Sequence, residues 1–508
     1  MKIITLLSFL FFAITCQSQT KPFDEEWVGQ ITLLGQPQYA RISAKTDTVS
    51  LRLRDEGPDG VYSLIGIKEQ DGSVDFTINH PKGKWIFTGQ IVDGNRLEGD
   101  IQVNDLIGKF LLFKRLAIEP QEWQPCLGNY QLPNGGYLIV RQSGKYLELH
   151  SGISERYTGL SKIGENRFYS ASCEILQFKN LQNSQFQTVE WQSSVGQKIS
   201  AQRVAPFLVE DHLIITSTDT IGASLYLPAS MGKHPACIIP MGAIPLDRLA
   251  SDLEAEFFAT YGIATLIYDN HGFGKSTGIL AEKSFVDKQQ VAIELFRWLQ
   301  KHPSIDAKKI GFRGASQGGR IALMAASALP ETAFLALVAT PMETRMDQQL
   351  YALSAYHRQQ NFSEQVITHS TELWRKFFTY AATDVIDTAF VVELQTFQAA
   401  HPDMELPQAN LENPPFLPRK EDLLNSTGSY LPTVQCPVLC IFGALDDRVP
   451  AQKSIHQLRA GLEKAGQQPP TVIVYEEASH SFTLPGFRIV PGLFMDQIRF
   501  MRKAVKLD

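Results

Sequence analysis

From Trp27 to about Arg115 apolar and polar residues alternate in short runs separated by turn signals, the pattern of half-buried strands. Strands are expected at 40–43, 50–53, 85–91, 96–101 and 109–113. Asp71-Gly72, Lys82-Gly83 and Asp93-Gly94 punctuate them, and Asp-Gly between alternating runs marks antiparallel hairpins. A Pro-containing stretch from Ile118 to Pro125 precedes a second β-rich run with candidates at 136–140, 145–149, 167–170 and 188–191. Pattern alone leaves open one long β unit or two domains, since either buries one alternating face against another sheet. Taken as two, they occupy 22–118 and 126–203.

Past Pro206 the pattern changes to short apolar strands alternating with amphipathic helices, which predicts a mostly parallel sheet with helices on both faces over 207–508. The expected strands are 236–240, 264–268, 309–313, 334–339, 438–442 and 472–475. The expected helices are 249–261, 287–301, 319–328, 451–465 and 493–505. From Met342 to about Pro432 the alternation stops; the segment is helical and polar with breaks such as Asn413-Pro414-Pro415. An insertion of that length between two strands predicts a helical cap, at 342–432, over one end of the sheet.

Composition narrows the classes that remain. With 508 residues, 44% hydrophobic and 20% charged, the chain is ordinary globular material, long enough for several domains and unlike coiled-coil, collagenous or disordered sequences. Its 47 basic against 53 acidic residues give a net charge of −6 without like-charge blocks, so no basic face is available for a nucleic acid. Met1-Lys2 followed by an apolar run from Ile3 to Ile14 fits the h-region of a signal peptide, 1–18, and is too short for a membrane span, so export to the periplasm or medium is expected. Two readings stay open there: cleavage before Gln19, after Cys16 and Ser18 at the −3 and −1 positions, or lipid attachment at Cys16 in a poor lipobox. Six cysteines are too few for a disulfide scaffold in a chain of this length. Cys237, Cys436 and Cys440 read as buried small hydrophobes, and Cys126 with Cys173 could pair without anything requiring it.

The chemistry is concentrated at Gly314-Ala315-Ser316-Gln317-Gly318, between an expected strand and an expected helix. At this chain's Gly and Ser frequencies such a pentapeptide arises by chance roughly 0.2 times in such a length, so the strand-to-helix context carries the signal. In a nucleophile elbow the serine occupies a strained turn, and the glycines two residues either side leave room for strand and helix to approach. A serine hydroxyl needs a base to take its proton and a carboxylate to orient that base. Asp446 follows the 438–442 strand and His480 follows 472–475, in the chain order Ser, acid, His and at the strand ends where open α/β sheets place their sites. Asp447 is the rival acid, and Asp446 could instead cap the helix beginning at Ala451. Acyl transfer also needs two oxyanion donors, for which the N–H of Gln317 and, in the loop after 236–240, that of Ala243 are the candidates.

Together these residues look like the α/β-hydrolase superfamily from about Val209 onward. The stretch from Asp269 to Ser276 resembles its Asp-x-Arg-Gly-x-Gly-x-Ser loop, generally architectural, with His271 in the Arg place. Asp247-Arg248 after Gly242, the run 443–450, and a β domain with Trp27-Val28-Gly29 and Leu97-Glu98-Gly99 resemble the EstD-type bacterial serine esterases, relatives of serine aminopeptidases. The resemblance implies hydrolysis of carboxylic esters, often of short acyl chains, with no cofactor and no metal. Met241-Gly242 stands where members have His-Gly; that His is not the base, so the backbone donor is expected to survive. The segment 126–200 is similar in general pattern to small β-barrel appendages of secreted serine hydrolases. The expected protein is therefore an exported serine carboxylesterase acting on a small-molecule or acyl ester, with a serine peptidase or aminopeptidase as the alternative and a thioesterase or acyltransferase third. A binding protein with an inert hydrolase fold is disfavoured because every triad position and both elbow glycines are present.

Overall fold

The computed structural model describes residues 23–507 apart from 24, 46, 47, 55, 57–59, 206, 384–387, 408–418, 465 and 485–488. The expected signal peptide, Cys16 and Asn413-Pro414-Pro415 lie outside the described residues. Among the described residues no helix is long and apolar enough to cross a membrane.

Two antiparallel sheets come first. Nine strands between Trp27 and Lys114 form one sheet, and eight strands between Gly128 and Arg203 close into a barrel. Alternation sets which face is buried: in Gly83–Val92, Trp85, Phe87 and Gly89 point inward while Lys84, Ile86, Thr88 and Gln90 face solvent. Each sheet has its own apolar core, around Phe76, Phe87 and Phe110 in the first and Tyr130, Phe168 and Phe178 in the barrel. Cys126 sits in the barrel core and Cys173 where the two sheets meet, and the two do not form a disulfide with each other.

The third sheet carries the site. In chain order its strands are β1 (Leu208–Ile215), β2 (Thr220–Leu227), β3 (His234–Ile239), β4 (Ala264–Tyr268), β5 (Ile305–Ala315), β6 (Leu335–Val338), β7 (Val438–Gly443) and β8 (Thr471–Tyr475). They lie side by side in the order β1-β2-β4-β3-β5-β6-β7-β8. β3 to β8 are parallel, while β1 and β2 form an antiparallel hairpin paired antiparallel to β4. That hairpin was not among the expected strands. Leu208, Val209, Leu213 and Ile215 of β1 are exposed at the sheet edge, and Glu210, Asp211 and His212 break the apolar run of the kind that marks β3 or β7.

Helices α1 (Asp252–Thr260), α2 (Phe285–Gln300), α3 (Gln317–Ala328), α4 (Arg345–Gln359), α5 (Glu364–Thr383), α6 (Thr388–Ala400), α7 (Ala451–Lys464) and α8 (Leu493–Ala504) complete this part. The start of α2 is fixed by a capping box: Ser284 Oγ accepts from Asp287 N at 3.2 Å and the Asp287 carboxylate accepts from Ser284 N at 2.8 Å. α4 to α6 lie in the insertion between β6 and β7, where Trp374, Phe377 and Phe378 pack with Leu394, Phe397 and Leu423 into a separate core. Arg320 of α3, fully buried, clasps the base of this insertion by donating to Glu343 O at 3.2 Å and Asn425 O at 3.0 Å.

The barrel packs against α1 and α8. Ile139 and Tyr157 join Phe257, Tyr261 and Phe494 in one apolar cluster, Arg141 pairs with Asp252 at 3.2 Å, and Asn129 Nδ2 donates to Thr260 Oγ1 at 2.9 Å.

Candidate active site

The site is assembled from loops at the C-terminal ends of adjacent parallel strands. Ser316 joins β5 to α3 with φ 52° and ψ −123°, a backbone conformation that costs a non-glycine residue on the order of 1–3 kcal/mol. Its N–H donates to Val338 O at 2.8 Å, which ties the turn to the end of β6. A Cβ on Gly314 would collide with the backbone of Gly318 and Gly319, and one on Gly318 with the carbonyl of Pro240. The two elbow glycines thus supply the clearance that strand, helix and the loop after β3 require.

Asp446, past β7, and His480, past β8, meet at Ser316. His480 Nε2 lies 3.2 Å from Ser316 Oγ, and His480 Nδ1 lies 2.9 and 3.1 Å from the two carboxylate oxygens of Asp446. Asp446 is fixed in turn: its Oδ1 accepts from Arg448 N at 2.8 Å and Val449 N at 2.9 Å, and its carbonyl accepts from Tyr351 of α4 at 2.9 Å. Burial and the nearby Asp446 and Asp447 carboxylates raise the Tyr351 phenol above its ordinary range, so it stays a donor. Asp447 turns away and accepts from Gln359 at 3.0 Å. With the carboxylate on Nδ1 the imidazole proton belongs there, which leaves the Nε2 lone pair toward the serine hydroxyl.

Gln317 opens α3, and Ala243 lies on the loop after β3, lining a cavity of about 690 Å³ together with Pro240, Gly242, Ser316, Arg345 and His480. Among the described residues, none that lines it comes from the two N-terminal sheets, and Trp374, Phe377 and Phe378 are not part of the lining.

Two groups outside the sequence expectation hold the Ala243 loop. Asp269, fully buried after β4, accepts from Arg248 N at 2.9 Å, Arg248 Nη1 at 2.6 Å and Lys275 N at 2.7 Å. Asn270 Nδ2 reaches Gly242 O at 3.4 Å and Ile244 O at 3.3 Å. Arg248 and Asp269 were visible as motif residues, but their contact across 21 positions of chain was not. His271, in the place of the motif's Arg, has its Nδ1 3.2 Å from the Asp219 carboxylate, and burial lowers its pKa. Asp269→Ala would remove the acceptor of two backbone amides together with the shorter of the two carboxylate contacts of the buried Arg248 guanidinium, leaving the latter Asp211 at 3.4 Å and the Ser224 hydroxyl. It is expected to cost about 3–5 kcal/mol of stability, measured by denaturant unfolding, and to loosen the loop that carries Ala243.

Among the described residues Glu210, His212 and His302 bring metal-ligating atoms within 4.8 Å of one another, at the β1 edge and outside the cavity lining. His302 Nδ1 accepts from Ser304 N at 3.3 Å, which places its proton on Nε2, 3.1 Å from Glu210. This is a hydrogen-bonded pair, with no lone pair left on Nε2 for a metal ion.

Residues 293–501 match the family described as BAAT / acyl-CoA thioester hydrolase C terminal. An uncharacterized 31.7 kDa Escherichia coli protein from the traX-finO intergenic region is 22% identical over 48% of this chain and 83% of its own length. The Penicillium crustosum polyketide transferase claH is 34% identical over 25% of this chain and 42% of its own length. The crystal structure of the α/β hydrolase GrgF from Penicillium sp. sh18 covers 59% of this chain and 99% of its own, with 16% identity and a TM-score of 0.39. Over residues 293–501, then, the chain is similar to hydrolases of acyl-CoA thioesters, on a mostly parallel sheet. That sheet is preceded here by two antiparallel β units.

Proposed function

We propose that the protein is an exported serine carboxylesterase of the EstD type, acting on small acyl esters. The observation that carries this reading is the relay from Asp446 through His480 to Ser316, with Nε2 at 3.2 Å from the hydroxyl. His480 takes the Ser316 proton as Oγ bonds the acyl carbon, then passes it to the departing alkoxide. The imidazolium formed in between is stabilised by Asp446, and the N–H groups of Gln317 and Ala243 face the oxyanion. Water, deprotonated by His480, adds to the acyl-enzyme and releases the acid and Ser316.

The export part rests on the apolar run behind Lys2. The test of the chemistry is a fluorophosphonate probe on wild type and Ser316→Ala, read by intact mass. Stoichiometric labelling of the wild type alone is the expected result; an unlabelled, folded wild type would sink the proposal.

A thioesterase is the second reading, favoured by the family match over 293–501. The same relay attacks either acyl group, so kcat/KM on an oxygen ester and a thioester of one acyl group ranks the two. Faster turnover of the ester, after correction for intrinsic reactivity, is expected.

A further inference from the structure

The roof of the cavity over Ser316 is one face of α4: Arg345, Gln348, Gln349 and Ala352 line it at spacings of three, four and seven. A channel for a long alkyl chain would put leucine or phenylalanine at those positions. Here the face is two amides, a methyl group and a guanidinium.

The guanidinium is the unusual member. Arg345 is half-buried, and its partners are amide oxygens: it donates to Gln348 Oε1, and the Gln349 amide, turned with its oxygen inward, accepts from Nη1 at 3.1 Å and from Nη2. These satisfy hydrogen bonds and leave the guanidinium with no carboxylate in contact. Among the described residues Arg345 forms no ion pair. Asp422 attracts it from a distance without touching it, its carboxylate accepting from the Phe285 amide at 2.9 Å, and burial outweighs that attraction, bringing the Arg345 pKa down to about 10. Neighbouring cations add to the imbalance, since Arg320 and Lys288 both feel Arg345 as a repelling charge.

The rest of the lining points the same way. Arg313 also faces the cavity but is already paired with Glu254. Arg448, exposed at the rim, makes no ion pair among the described residues, and the Asp447 carboxylate, which keeps its charge while accepting from Gln359, offsets only one of the two unpaired lining guanidinium groups. A charge held in a partly dry cavity without a counter-ion costs stability, and a planar guanidinium is matched by a carboxylate through paired hydrogen bonds.

Resting on the serine-esterase reading, we propose that this cleft selects substrates carrying a carboxylate within a few bonds of the scissile acyl group, and that Arg345 is the group that receives it. Such a carboxylate could sit on the acyl half or on the alcohol half. Matched pairs separate them: mono-4-nitrophenyl glutarate against its methyl ester, and 4-acetoxybenzoate against methyl 4-acetoxybenzoate. After correction for alkaline hydrolysis rates, the wild type is expected to favour the anionic member of one pair by about 10- to 100-fold in kcat/KM, mostly through KM. Arg345→Met should bring that ratio to about one, and Arg345→Lys should restore part of it, because charge without the planar fork keeps only some of the match.

An anionic-to-neutral ratio of one or less for both pairs in a wild type that labels with fluorophosphonate and turns over the neutral esters overturns the inference and leaves the esterase reading standing. So does a ratio that Arg345→Met does not change. Absence of both labelling and turnover overturns the esterase reading, and this inference with it. Should Arg345→Met fail to fold, the wild-type ratio and the Arg345→Lys ratio decide the matter.

Discussion

Replacing Ser316 by alanine is expected to lower kcat on 4-nitrophenyl acetate by roughly 10⁵- to 10⁶-fold while the protein melts as the wild type does. The size follows from the geometry. The hydroxyl that forms the acyl bond is lost, whereas the turn that holds it is set by Gly314, Gly318 and the Val338 carbonyl, none of which the substitution touches. If Ser316 and His480, 3.2 Å apart, act in one proton transfer as proposed, Ser316→Ala/His480→Ala should be no slower than either single variant. An additive loss would mean that His480 works on some other group. Single-turnover kinetics with the double variant measures this directly.

The second large effect separates two adjacent acids. Asp446→Asn is expected to reduce kcat about 10⁴-fold, and Asp447→Asn less than tenfold. An asparagine at 446 can keep its Oδ1 on the amides of Arg448 and Val449, so the loop should hold its shape. Its Nδ2 would then face His480 Nδ1, now an acceptor, and the ring proton would move to Nε2, 3.2 Å from Ser316. A protonated Nε2 cannot take the serine proton. Asp447 contacts Gln359 in the cap and has no such leverage on the imidazole. Equal losses for the two variants would show that the carboxylates share the role, and would count against the geometry described here.

Much of the site was legible before any coordinates. The elbow shows itself because two glycines at fixed offsets in a strand-to-helix turn are a local steric demand, and local demands are written contiguously. Asp446 and His480 were placed by counting strands, since loops at the C-terminal ends of parallel strands converge on one edge of a sheet. The choice of Asp446 over Asp447 had only chain position behind it; the contacts at 2.9 Å to His480 and 3.0 Å to Gln359 now distinguish them.

What escaped the sequence was of another kind. The β1–β2 hairpin went unseen because Glu210, Asp211 and His212 break the apolar run of the edge strand β1, and Gly222, Ala223 and Ser224 dilute that of β2. The first β region revealed its hairpins, but not that residues 27–114 and 128–203 make separate sheets, because sheet closure depends on which distant strands pair. Arg248 with Asp269, and Asn270 with the Gly242 and Ile244 carbonyls, escaped for the same reason: each is a contact between loops of different strands.

The sequence by itself determined the class of local structure along the chain, the elbow, and the order of a serine, an aspartate and a histidine at the ends of parallel strands. Periodicity, glycine spacing and strand ends are properties of short windows, and short windows carry them in full. Only the tertiary structure decided that Asp446 rather than Asp447 reaches His480, and that the cap core around Trp374 stays out of the cavity. It also decided that Arg345 lines the same cavity as Ser316 with no carboxylate in contact among the described residues. These are distances between residues far apart in the chain, fixed by packing the insertion onto the sheet, and no local pattern encodes them.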